Sequence, residues 1–153
     1  KEIDGAWSPE PWASRLVVEG GGIRVIDERD IWANREFCTS NIIVRTEFLK
    51  ESPDLVKKWL LAHVEITDFI NSHPTEAKRI VNEAIETFST KKIPEAVLDA
   101  AWPVLEFSAD PVSSSVMTFS DWAFEEGFLG KLKPDLSNLY DLSILQSLTN
   151  SQY

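Results

Sequence analysis

The sequence predicts an α/β fold with a few strands followed by about five helices. Apolar runs with the alternation of a strand lie mainly in the first 45 residues. From residue 52 onward, apolar residues recur at helical spacing. Capping residues followed by proline, at Ser52-Pro53 and Asp110-Pro111, are typical of helix starts.

Two or three strands and one helix are predicted in the N-terminal part of the chain. The strands cover residues 3–7, 23–26 and 41–45. Proline has no N–H group and fixes φ, so Pro11 cannot continue a strand but suits the first position of a helix. That helix is expected to end at the three glycines of residues 20–22, which favour a helix stop.

The remaining helices follow from apolar stripes with a period of 3.6 residues. They are predicted at residues 53–70, 74–88, 93–102 and 111–127. The tail, residues 136–148, is too apolar for a disordered end and is expected to dock on the body of the protein.

Composition and charge restrict the function. The 153 residues fit one soluble domain, and 15 Lys and Arg against 25 Asp and Glu give a formal charge of −10. Such a charge repels phosphate backbones and anionic lipids, which argues against nucleic-acid partners. No apolar run approaches the roughly twenty residues that a membrane-spanning helix needs.

Residues that support catalysis or metal binding are sparse. Cys38 is the single cysteine, which excludes an internal disulfide and a cysteine-based zinc cluster. The two histidines, His63 and His73, belong to a predicted helix and the turn after it, which does not suggest a metal site. No nucleophile elbow or phosphate-binding glycine loop occurs. We therefore predict no catalytic residue, no metal and no cofactor.

The turn between the first strand and the first helix is the candidate ligand-binding site. Trp7, Ser8, Glu10 and Trp12 place two indoles, a hydroxyl and a carboxylate on a proline-shaped turn. Ligands of open α/β sheets bind beyond the carboxyl ends of strands, and rigid aromatics offer contact area at little entropic cost. The alternative is structural: the indoles are core residues and Glu10 caps the helix.

Several ordered segments resemble a known family. They are residues 2–17 (EIDGAWSPEPWASRLV), 20–26 (GGGIRVI), 41–60 (NIIVRTEFLKESPDLVKKWL), 108–115 (SADPVSSS), 121–129 (DWAFEEGFL) and 134–148 (PDLSNLYDLSILQSL). Together they resemble the second half of substrate-binding proteins of bacterial and archaeal ABC importers. The branch concerned handles nitrate, sulfonates, taurine and thiamine-precursor pyrimidines. The resemblance covers essentially the whole chain.

The resemblance implies a two-lobed periplasmic-binding-protein fold of type II, present here as its C-terminal half. Residues 1–38 would end the second lobe, and residues 39–153 would form the helix-rich C-terminal portion of the first. It also implies a periplasmic or extracellular protein, membrane-associated through an ABC permease and ATPase. The missing N-terminal half is then a further partner. Without it, the fragment is expected to bind its small-molecule ligand poorly and to be capable of self-association.

Glu10 raises a question about this ligand, because a carboxylate facing nitrate or a sulfonate would repel it. Three solutions are open. Glu10 faces away as a helix cap, or it holds a metal that in turn holds the anion, or the ligand carries an amine. Taurine-like zwitterions and aminopyrimidines carry such an amine.

Two other classes of function are weighed against import. Relatives of the implied fold synthesise the thiamine pyrimidine with a cysteine-rich motif, histidines and pyridoxal phosphate. The lone Cys38 argues against such an enzyme. The other alternative is a helical interaction module built from the amphipathic stripes between Ser52 and Gly127, which predicts an exposed apolar face.

Overall fold

The computed structural model describes residues 3–149, and all regular secondary structure in that range is helical. The α-helices are α1 (Trp12–Val18), α2 (Thr46–Glu51), α3 (Pro53–Ser72), α4 (Pro74–Ser89), α5 (Glu95–Ala101), α6 (Ser113–Glu125) and α7 (Ser143–Thr149). Short 3₁₀ turns cover Glu28–Ile31, Ala33–Arg35 and Trp102–Val104. None of the helices in the described range has the length and apolar character that crossing a membrane requires.

The predicted α/β class is wrong, and the type II fold inferred with it is not what residues 3–149 form. No strand occurs within that range, although two or three were expected. A strand is stable only when a neighbouring strand pairs with its backbone groups and covers its apolar side chains. The runs at residues 3–7, 23–26 and 41–45 have strand-like sequences but no strand beside them in the described chain. Ile23 and Val25 are each 87% exposed as a result.

The helices are predicted far better than the strands. α3 and α4 begin at the prolines that mark their starts, and both extend one or two residues beyond the predicted ends. α6 begins at Ser113, two residues later than predicted, because Val112 takes a left-handed conformation just before it. The six-residue helix α2 was not predicted, since its segment lacks a capping signal.

The chain divides into two compact units. Unit 1 contains residues up to 27 together with 67–107, and unit 2 contains residues 28–66 together with those from 108 onward. The boundary predicted between residues 38 and 39 concerns the lobes of a larger protein, and it stays a prediction.

Unit 1 has a small apolar core formed where α1 lies against α5. Its buried apolar residues are Ala77, Val97, Leu98 and Ala101. A polar clamp joins α4 to the segment before α5. The Asn82 side chain accepts a hydrogen bond from the Ile93 N–H at 2.8 Å and donates one to the Ile93 carbonyl at 2.9 Å.

Unit 2 is held partly by a buried hydroxyl on α6. Ser115 Oγ accepts a hydrogen bond from the Cys38 N–H at 3.0 Å and donates one to the Val112 carbonyl at 2.8 Å. The C-terminal tail contacts the same unit, because the Tyr140 hydroxyl donates to Asn41 Oδ1 at 3.3 Å. These bonds join segments that are far apart in the sequence.

Candidate ligand-binding site

The four residues predicted to bind ligand all lie in unit 1, at and just before the start of α1. Trp7 is 69% exposed and Trp12 is 54% exposed. Ser8, which lies between them in the sequence, is half-buried. The indoles are therefore not core residues, so their surfaces are accessible to a solute.

Glu10 differs from its neighbours because its side chain is only 8% exposed. One carboxylate oxygen, Oε2, accepts a hydrogen bond from the Ser14 N–H at 3.0 Å. The other, Oε1, accepts one from Arg24 Nη2 at 2.5 Å. Both oxygens are thus engaged within the protein, one by the first turn of α1 and the other by a guanidinium.

These contacts set the charge state of Glu10. Burial raises the pKa of its carboxyl, but hydrogen bonds from Arg24 and Ser14, together with the positive charge of Arg24, outweigh burial and leave the pKa below its ordinary value of 4.5. Glu10 is therefore ionised at neutral pH. It stabilises the fold above the pKa of the unfolded chain, and that stabilisation is lost as the pH falls through the lower, folded value.

We expect Glu10→Gln to lower the free energy of unfolding by about 1 kcal/mol at neutral pH, because a charged acceptor becomes a neutral one. The difference from the wild type should shrink as the pH falls below about 4.5, where the unfolded wild-type carboxyl takes up a proton. Urea unfolding followed by circular dichroism at several pH values measures this. Glu19→Gln is the control, since its i,i+4 pair with Arg15 is exposed. An equal loss for both variants at all pH values would contradict the account.

Arg24 is the residue of this site that sequence reasoning missed. It lies fourteen positions from Glu10, beyond α1 and the glycines. Its Nη2 also lies 3.4 Å from the Ser14 hydroxyl, and Ser14 is itself buried. The sequence contained a signal for a buried or paired charge at this position, because Arg24 is a charged residue between Ile23 and Val25 in an apolar run. In extended backbone, alternate side chains point to opposite sides.

Other parts of the molecule offer less chemistry. A cleft of about 320 Å³ in unit 2 is lined by Met117, Ser120, Asp121, Lys133, Pro134, Leu136 and Ser137. It contains none of the predicted site residues, and its charged pair, Lys133 with Asp121, is half-exposed. Within residues 3–149, no three His, Cys, Asp or Glu side chains converge as metal ligands would.

Comparison with known families identifies the lineage of the chain. The sequence model of the NMT1-like family matches residues 1–86, which is more than half of the 153 residues. The chain belongs to the NMT1-like family. Searches of curated proteins and of solved structures found no match.

Membership of the NMT1-like family indicates a small-molecule-binding protein and agrees with the resemblance to substrate-binding proteins. The matched segment includes the whole turn from Trp7 to Trp12 and also Arg24. It ends inside α4, so the family match does not cover α5, α6 and α7.

Proposed function

We propose that this chain is the solute-binding component of an ABC importer and works outside the cytoplasm, in the periplasm or at the cell exterior. Its ligand is a small sulfonate, nitrate or taurine-type anion, or an aminopyrimidine. Its partners are the ABC permease and ATPase that receive the ligand. It performs no catalysis in this role.

The observation that carries the proposal is the exposure of Trp7 and Trp12 within the segment that matches the NMT1-like family. Exposed indoles lose unfavourable contact with water when a ligand covers them. Their backbone is fixed by Glu10, whose bond to the Ser14 N–H ties the turn to α1. A rigid aromatic turn of this kind suits capture of a small solute, because little order is lost on binding.

A helical interaction module is the second candidate, and α3 supplies the observation that favours it. Leu55, Trp59 and Ile66 lie on one side of α3, and each is more than half exposed. Such a stripe normally covers apolar surface on another molecule. This candidate places the functional face on α3 in unit 2, whereas solute capture places it at the start of α1 in unit 1.

Thermal unfolding with and without solute separates the two candidates. We expect taurine, methanesulfonate, nitrate or an aminopyrimidine to raise the Tm of the full chain by several degrees when present at about 100 times its Kd. Trp7→Ala and Trp12→Ala should remove that rise. Trp59→Ala is matched to Trp12→Ala, because Trp59 is 53% exposed and Trp12 54%, and it should retain the rise.

Two results would contradict solute capture at this turn. One is a Tm that none of the four solutes changes, even at the high concentrations that a weakly binding fragment requires. The other is a rise that both Trp7→Ala and Trp12→Ala preserve in full. A rise lost only in Trp59→Ala would transfer the binding face to α3.

A further inference from the structure

The exposed apolar stripe of α3 has the spacing of a coiled-coil seam. Leu55, Trp59, Ala62 and Ile66 follow one another at intervals of four, three and four residues, which is the alternation of the a and d positions of a heptad. All four side chains are exposed. Val64, on the opposite face of the helix, is buried. α3 therefore packs on its own protein through one face and leaves the seam open to another molecule.

Two opposite charges border this seam on one side. Lys58 and Glu65 are seven residues apart, so both occupy the g position of the heptad. Both are exposed, and neither has an ion-pair partner among residues 3–149. The e positions on the other side of the seam hold Val56, His63 and Ile70. One border of the seam thus carries a positive and a negative charge, and the other carries no acidic residue and no lysine or arginine.

This charge pattern is complementary to itself in one orientation only. In an antiparallel pair of helices the g positions face each other, whereas in a parallel pair each g position faces an e position. An antiparallel second copy of α3 therefore places Glu65 opposite Lys58, and the two-fold axis repeats the pair. A parallel copy gives neither charge an opposite partner.

The register of the antiparallel pair follows from the rise of the helix. With the Ala62 residues of the two copies at the crossing point, Lys58 lies about 6 Å along the axis and Glu65 of the second copy about 4.5 Å, at 1.5 Å per residue. Trp59 and Ile66 of the second copy are offset by the same small distance. The apolar contacts and the ion pairs thus form in one register, and the small side chain of Ala62 permits close approach at its centre.

We propose that the α3 seam binds a second copy of this chain, as an antiparallel helix pair with reciprocal contacts between Lys58 and Glu65. The proposal rests on the second candidate function above and names the partner of its α3 face. It does not depend on solute capture, because the turn before α1 lies in unit 1 and the seam, residues 55–66, lies in unit 2.

Sedimentation equilibrium of the full chain tests the proposal. At concentrations up to about 0.3 mM we expect the mass to rise from that of one chain to twice that value. The formal charge of −10 on each copy opposes association, so about 0.15 M NaCl is included to screen distant charges. Trp59→Ala should raise the dimer Kd about tenfold or more. Phe88→Ala removes an exposed aromatic side chain from α4 and should leave the Kd unchanged.

Charge reversal tests the antiparallel orientation. Lys58→Glu and Glu65→Lys each turn both ion pairs into repulsive pairs and should raise the Kd about tenfold. The two substitutions combined in one chain recreate opposite charges across the seam and should restore the wild-type Kd. Lys57→Glu is the matched control, because it makes the same change of net charge at an exposed position on the opposite face of α3. Its Kd should stay within about twofold of the wild type.

Three results would overturn the proposal. A wild type that remains monomeric at about 0.3 mM would leave α3 to a different molecule. A dimer that Trp59→Ala weakens no more than Phe88→Ala would lie on another face. A combined variant that dimerises no better than Lys58→Glu alone would exclude the antiparallel register, provided that circular dichroism shows both to be folded as the wild type is. Solute capture is unaffected by any of these results, since the solute-dependent rise in Tm measures it separately.

Discussion

Val97→Asp is expected to unfold unit 1. Val97 is 0% exposed on α5, the helix that lies against α1. The new carboxylate would be removed from water in the small apolar core of the unit. Burial of an unpaired charge costs several kcal/mol, a large part of the 5–15 kcal/mol that typically stabilises a whole domain. Circular dichroism should show lost helix and a broadened urea transition.

Phe88→Asp is the control for this experiment, because it introduces the same charge on α4 at a side chain that is 88% exposed. We expect its free energy of unfolding to stay within about 0.5 kcal/mol of the wild type. If Val97→Asp unfolded in urea with the same cooperative transition as the wild type, α5 would not form the core of this unit.

Asn82→Ala is expected to destabilise unit 1 by about 2 kcal/mol. The side chain makes two hydrogen bonds with the backbone of Ile93, in a partly buried position between α4 and α5. Alanine leaves both the N–H and the carbonyl of Ile93 without their protein partner, and each loss costs about 1 kcal/mol. The urea midpoint should fall with little change in the slope of the transition.

Two variants check that the effect comes from the paired hydrogen bonds. Asn82→Asp retains the acceptor for the Ile93 N–H but loses the donor, so it should be less destabilised than Asn82→Ala. Asn71→Ala removes one exposed bond, to the Phe107 carbonyl, and should cost less still. Equal stability of Asn82→Ala and the wild type would show that this clamp does not hold α4 to α5.

Local signals in the sequence were sufficient to predict the positions of the longer helices. Pro53 and Pro74 stand at the first positions of α3 and α4, as their fixed φ and missing N–H predict. The hydrogen bonds of a helix form within its own segment, so the sequence of that segment determines much of its stability. For this reason α3, α4, α5 and α6 are found close to their predicted positions.

The strand predictions are wrong because the stability of a strand depends on residues in a neighbouring strand, not on its own segment alone. The alternation in residues 23–26 and 41–45 gives each segment an apolar side, but alternation does not specify the strand that must lie beside it. In the described chain no segment takes that place, and the backbone remains irregular there. The exposed Ile43 on the second segment is a direct consequence.

The ligand-binding role of the candidate site stays a prediction. The sequence indicated Trp7, Ser8, Glu10 and Trp12, since these residues are contiguous on one turn. Arg24 could not be predicted from spacing, because the path of the chain through α1 and the glycines brings it back to Glu10. That contact changes the interpretation of Glu10 from a group that would repel an anion to one that holds a cation in place.

A crystal structure of the full chain grown with 2-bromoethanesulfonate tests the central claim most directly, because anomalous scattering locates bromine without ambiguity. We predict a bromine peak beside the turn from Trp7 to Trp12, with the ligand covering both indoles. A fully occupied ligand elsewhere in the molecule, with both indoles uncovered, would contradict the claim that this turn captures the solute.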